Sequence, residues 1–114
     1  MFPRDRRLRR HRDIGALLRR GRIVKGPGLA LRMGLTPLAM PRVTVVVSTA
    51  VAKRAVVRNR LKRQLRHALA AELSGVRGGV DLMLTTRREL LDTPATIRRQ
   101  LVHELLCRAR LISP

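Results

Sequence analysis

Residues 55–66 read Ala-Val-Val-Arg-Asn-Arg-Leu-Lys-Arg-Gln-Leu-Arg and hold the clearest chemistry in the chain. Arg58, Lys62 and Arg66 recur at four-residue steps with Arg60 and Arg63 beside them. On a helix, several of these donors can meet successive phosphates of a folded nucleic acid at once. Asn59 adds a donor and an acceptor for an edge contact. A run of like charges is often only a solvated helix face. Here no Glu stands four residues before or after a cation of the run to relieve the repulsion, so a polyanionic partner is the better explanation.

Catalytic and metal-binding constellations are not legible. The acids Asp5, Asp13, Glu72, Asp81, Glu89, Asp92 and Glu104 form no close local pair. The single thiol, Cys107, can form no internal disulfide and reads as a small core residue rather than a nucleophile. His11, His67 and His103 are too scattered beside one thiol to make a metal-ligand set. His67, on the basic helix, is placed to touch RNA, whereas His103 reads as a helix-surface residue. The expectation is a chain with no catalytic side chain, no metal site and no cofactor of its own.

Those residues sit in a chain of 114, with 26 Lys plus Arg against 7 Asp plus Glu and a net charge of +19. The length allows one domain, residues 1–114, with residues 1–7 as a flexible basic arm. Hydrophobic residues make up 45% of the chain, which separates it from basic disordered tails and permits a modest core. Self-repulsion at this charge favours a polyanionic partner, and nucleic acid leads over anionic membrane. All but three of the basic residues are arginine, whose planar fork suits phosphate oxygens and base edges. With no Trp or Tyr and only Phe2, a base-stacking platform of the usual aromatic form cannot be built. Charge-free stretches fall well short of the roughly 18 residues a spanning helix needs, and the N-terminus never reaches the apolar run of a signal peptide. A cytoplasmic location without membrane partners is expected.

Periodicity supplies the elements that must position the basic run. Ile14, Leu17 and Leu18 mark a short first helix stopped by Gly21. Ile23-Val24 and Leu29-Ala30-Leu31, separated by Gly26-Pro27-Gly28, read as strand pieces. Residues 43–48 are almost all β-branched and predict a central strand buried on both faces. Within residues 49–73, Val57, Leu61, Leu65, Leu69 and Leu73 recur every fourth residue, with Ala68 on the same side, and predict a long amphipathic helix. Asn59, Lys62, Arg63, Arg66 and His67 fall on its other side, and Arg58 and Arg60 lie off the apolar stripe. Ser74-Gly75 ends it. Gly78-Gly79 turns into a strand at 80–86. Thr93 as cap and Pro94 as first helical residue open a closing helix with the stripe Ile97, Leu101, Val102, Leu105 and Leu106. The order is α-β-β-α-β-α, with the first strand open to being split in two.

At the basic run the sequence resembles the protein component of bacterial ribonuclease P, whose hallmark is A-x-x-R-N-R-x-K-R-x-x-R. Ala55, Arg58, Asn59, Arg60, Lys62, Arg63 and Arg66 match it. Arg7-Leu8-Arg9-Arg10, the Asp13 helix ending at Gly21, Arg42-Val43, Ser48, Asp81 and Thr86-Arg87 follow in the family's order. The resemblance implies an α/β fold of the α+β sandwich kind, with a mixed sheet of about four strands and a left-handed β-α-β crossover. It further implies a small subunit, monomeric within the ribonucleoprotein, that binds a catalytic RNA. That RNA cleaves the 5′ leader from precursor tRNA using Mg²⁺. The implied RNA contacts are Lys53, Arg54, Arg58, Asn59, Arg60, Lys62, Arg63 and Arg66, with Arg7, Arg9 and Arg10 of the arm.

The resemblance also implies a cleft between the first helix and the sheet that holds the leader. The matching positions are Ile14, Leu18 and Arg32, where the family usually carries aromatic residues. Apolar packing plus an arginine contact replaces part of the stacking, while an apolar pair at i and i+4 is also what any buried helix shows. Two other classes stay open on residues alone. They are a structural ribosomal protein with no role in tRNA processing, and a nucleoid-type DNA-binding protein, for which only the basic arm speaks.

Overall fold

The computed structural model describes residue 8, residues 11–76 and residues 78–112. The basic arm at 1–7, with Arg7, and Arg9 and Arg10 beyond it, lies outside them. The elements are α1 (His11–Arg20), β1 (Arg22–Gly26), β2 (Leu29–Leu35), β3 (Arg42–Val46), α2 (Ala55–Glu72), β4 (Val80–Thr86) and α3 (Ala95–Arg108). Short 3-10 turns follow α2 and β4, at Leu73–Gly75 and Arg88–Asp92. The split of the first strand is thus real: β1 and β2 form a hairpin in which Gly26 pairs with Leu29. Pro27 presets one turn residue, and Gly28 takes the next at φ 70°, a conformation L side chains rarely adopt. A Cβ on Gly28 would also press on Leu90 at 3.2 Å.

One mixed sheet runs in the order β1-β2-β4-β3. The hairpin and β2–β4 pairs are antiparallel, and β3–β4 is parallel. A parallel neighbour needs a crossover, and α2 supplies it. Side-chain alternation divides the sheet's two faces. Leu29, Leu31, Val43, Val45, Val80, Leu82 and Leu84 join Leu61, Leu65, Leu69, Val102, Leu105 and Leu106 in the main core under α2 and α3. Met83 points to the opposite face, where Leu8 and Leu17 close a small second cluster with Ile14 against it.

The strand at 43–48 departs from expectation. β3 is an edge strand with alternating burial, and β4 is the central strand, with its first five residues buried in succession. Composition misled because β-branched residues suit any half-buried pleat, and position within a sheet is decided by pairing. The outer edge of β3 is partly covered, since the Leu8 N–H donates to the Val43 carbonyl at 2.8 Å. The closing helix starts one residue later than expected, at Ala95. Thr93 does not cap it; its hydroxyl donates to the Glu89 carbonyl at 3.4 Å. Ile97 is exposed, so the buried stripe of α3 is Val102, Leu105 and Leu106.

Candidate nucleic-acid interface and the clefts beside it

α2 forms because four apolar side chains at helical spacing, Leu61, Leu65, Ala68 and Leu69, can bury against the sheet. Burying them turns Asn59, Arg60, Arg63 and His67 outward to solvent and leaves Lys62 and Arg66 half-buried on the flank. Among the described residues, Arg60, Lys62, Arg63 and Arg66 have no ion-pair partner. The helix carries no acid in its first turn and no side-chain cap. Its free N–H groups therefore add positive potential where Lys53 and Arg54 are exposed. The result is one face of convergent, uncompensated donors suited to phosphate.

Arg58 is the exception. Its Nη1 donates to the carbonyls of Ala52, at 2.9 Å, and Lys53, at 2.7 Å. The side chain thus closes the loop entering α2 rather than standing free on the polar face. On a helical wheel it borders the buried stripe, so the expectation that it lies clear of the core is corrected.

α1 packs through Leu17, whose Cδ1 lies 3.0 Å from where a Cβ on Gly34 would be, so β2 needs a glycine there for the helix to sit this close. Leu17 separates two flanks of α1. On one, Ile14 is half-buried against the small cluster and Leu18 is 50% exposed. Arg32 Nη1 donates to the Leu18 carbonyl at 3.4 Å, so Leu18 and Arg32 are brought together. The reading of both apolar residues as core holds in part for Ile14 and not for Leu18. On the other flank, Asp13, Ala16 and Arg20 face Leu35, Arg42 and Asp81 across a hollow of about 460 Å³ that Ile14, Leu18 and Arg32 do not line.

That hollow contains a clamp which sequence reasoning missed. Arg42 grips Asp81 with Nε to Oδ1 at 2.9 Å and Nη2 to Oδ2 at 2.8 Å, and Nη1 reaches Asp13 Oδ2 at 3.2 Å. Hydrogen bonding to Asp81 above all, against some desolvation, raises the Arg42 pKa beyond its ordinary value. The clamp ties the first turn of α1 to both strands of the parallel pair. Asp13 and Asp81 lie 68 residues apart by their numbers, so no local spacing could have shown that they converge.

A further cross-link joins α2 to α3, with a contact inside α3 beside it. His103 Nδ1 and Glu72 Oε1 are 2.9 Å apart, so His103 bridges helices rather than only meeting solvent. Cys107 is half-buried with Sγ 3.5 Å from His103 Nε2. Among the described residues no three His, Cys, Asp or Glu side chains gather into a metal site, and no helix is long and apolar enough to cross a membrane.

The model of the family described as Ribonuclease P matches residues 2–110. The chain belongs to the ribonuclease P protein family. It is 39% identical to the ribonuclease P protein component of Synechococcus elongatus, over 97% of this chain and 95% of that one. It is 42% identical to that of Streptomyces bikiniensis, over 69% and 71%. The fold matches the Staphylococcus aureus RNase P protein with a TM-score of 0.87 at 18% identity, covering 95% and 98% of the two chains. For the Thermotoga maritima RNase P protein the TM-score is 0.81 at 23% identity, covering 90% and 96%. The expected α+β architecture of a mixed four-stranded sheet with three helices is the fold of these ribonuclease P proteins.

Proposed function

We propose that the chain is the RNA-binding subunit of a ribonuclease P ribonucleoprotein and assists a catalytic RNA in removing the 5′ leader from precursor tRNA. The observation that carries this reading is the α2 face, where Arg60, Lys62, Arg63 and Arg66 stand without carboxylate partners among the described residues. A face left uncompensated on a chain of charge +19 is stabilised by a polyanion, and a folded RNA offers closely spaced phosphates. In this reading the chemistry and its Mg²⁺ belong to the RNA. The protein supplies one copy of a basic platform, in the cytoplasm, and the Leu18–Arg32 flank of α1 meets the leader. Family membership supports this over the ribosomal and nucleoid readings.

The test is reconstitution of precursor-tRNA cleavage by the cognate RNA at low Mg²⁺, with and without the chain. Cleavage that rises with the protein and releases a 5′ leader is expected. No stimulation at any Mg²⁺ concentration, together with co-purification of ribosomal RNA, would replace the reading with the ribosomal one.

A further inference from the structure

A cleft of about 290 Å³ runs between α2 and α3, with Arg63, Gln64, His67, Ala95, Arg98 and Arg99 in its wall. Arg63 and His67 are one turn apart on the exposed face of α2, and Arg98 and Arg99 come from the opening turns of α3. Among the described residues no carboxylate lines it. Arg98 is fixed in place: Nε donates to the Leu90 carbonyl at 3.0 Å, Nη2 to the Leu91 carbonyl at 3.0 Å, and Nη1 to Gln64 Oε1. Those bonds use three of the five N–H donors of a guanidinium and hold the rest at the wall. Arg99 is exposed and has no ion-pair or hydrogen-bond partner among the described residues. α3 also starts without a side-chain cap or an acid in its first turn, so its free N–H groups add positive potential at the end nearest Ala95.

We infer that this cleft is a second phosphate-binding subsite, which takes backbone phosphates of the RNA lying along α2 and carries the contact across onto α3. The inference rests on the RNA-binding reading above. Three guanidiniums around one concavity repel one another unless an anion enters, and guanidinium forks suit phosphate oxygens. Arg63 and His67 belong to the α2 face and to the cleft at once. A strand tracking α2 therefore reaches α3 without leaving positive surface, which favours RNA over free phosphate as the occupant.

The experiment measures affinity of the full chain for its cognate RNA across a salt series, for Arg99→Ala, Arg99→Glu, Arg60→Ala and Arg108→Ala. Arg108 is an exposed cation in the last turn of the same helix and controls for loss of charge alone. Arg99→Ala is expected to weaken binding by roughly three- to tenfold and to make the slope of log affinity against log salt shallower by about one. Arg99→Glu weakens it further, and Arg108→Ala leaves the slope in place. If Arg60→Ala lowers affinity while both Arg99 variants match the parent, the subsite is refuted and the RNA reading stands. If Arg60→Ala also matches the parent, the RNA reading fails and the inference falls with it. A titration with inorganic phosphate, followed by amide NMR shifts of Arg63, His67 and Arg99, separates the two phosphate sources. Shifts with phosphate but no RNA effect of Arg99→Glu would make the cleft a free-anion site and overturn the assignment to RNA.

Discussion

Between α2 and α3, Arg63, His67, Arg98 and Arg99 share a cleft with no carboxylate among the described residues of its wall, whereas beside α1 the cation Arg42 is gripped by Asp81 and Asp13. The same residue type does opposite work in the two places. In the α1 hollow, the charge of Arg42 is spent on holding elements together: its side chain is largely buried and its guanidinium is taken up by Asp81 and Asp13. On α2 and the start of α3, charge is left open and costs repulsion until a partner arrives. Counting arginines cannot separate these roles. The presence of an acid within reach does.

The largest effect that would sharpen the contrast is at the clamp. Arg42→Met leaves two carboxylates facing each other with little solvent, and should destabilise the domain by about 3 kcal/mol, near the lower end for breaking a buried pair. Urea unfolding checks it, and a midpoint equal to the parent would put Arg42 in the same class as the open arginines. Because pairing with the Asp81 and Asp13 carboxylates raises the Arg42 pKa, the contribution of its charge is present at neutral pH and is lost as pH rises above the ordinary arginine range.

Arg58 lies between the two regimes and should behave so. Removing its bonds to the Ala52 and Lys53 carbonyls with Arg58→Ala should cost about 1 kcal/mol of stability as well as RNA affinity. Arg60→Ala should cost affinity with a stability change within about 0.5 kcal/mol. Equal unfolding midpoints for the two variants would return Arg58 to the open face.

The smallest expected change is at the other flank of α1. Leu18 is 50% exposed, so Leu18→Phe has room for its ring and should alter stability by no more than about 0.5 kcal/mol. Against precursor tRNA the added ring offers a stacking surface, with a gain approaching the lower end of about 1–3 kcal/mol per base. Affinities for precursor and mature tRNA in the reconstituted complex decide it, and equal tightening for both would remove leader contact from this flank.

Much of this was open to reading in one dimension because it follows from repeats of two or four residues. Burial of every fourth residue predicts α2 and its outward basic face, and the strand at 80–86 has the bounds observed for β4. The Gly26-Pro27-Gly28 punctuation anticipates the hairpin, since Pro and Gly impose their backbone angles locally. The Arg32 guanidinium meets the Leu18 carbonyl, a contact that no spacing shows.

What tertiary structure alone decided lies in contacts between residues far apart in the chain. Residues 43–46 look like a sheet centre, yet β4 takes that place because β2 and β3 both pair with it. Asp13, Arg42 and Asp81 become one unit only when α1, β3 and β4 are stacked, and Arg98 becomes a cleft wall only when it reaches Gln64 on α2 and the carbonyls of Leu90 and Leu91. The sequence by itself determined the elements, the excess of positive charge and the helix that displays it, because backbone preference and helical periodicity act over a few residues. Which arginines are paired and which stay open was decided by the fold, because ion pairing depends on distance in space, and only packing brings an acid within about 4 Å of a given guanidinium.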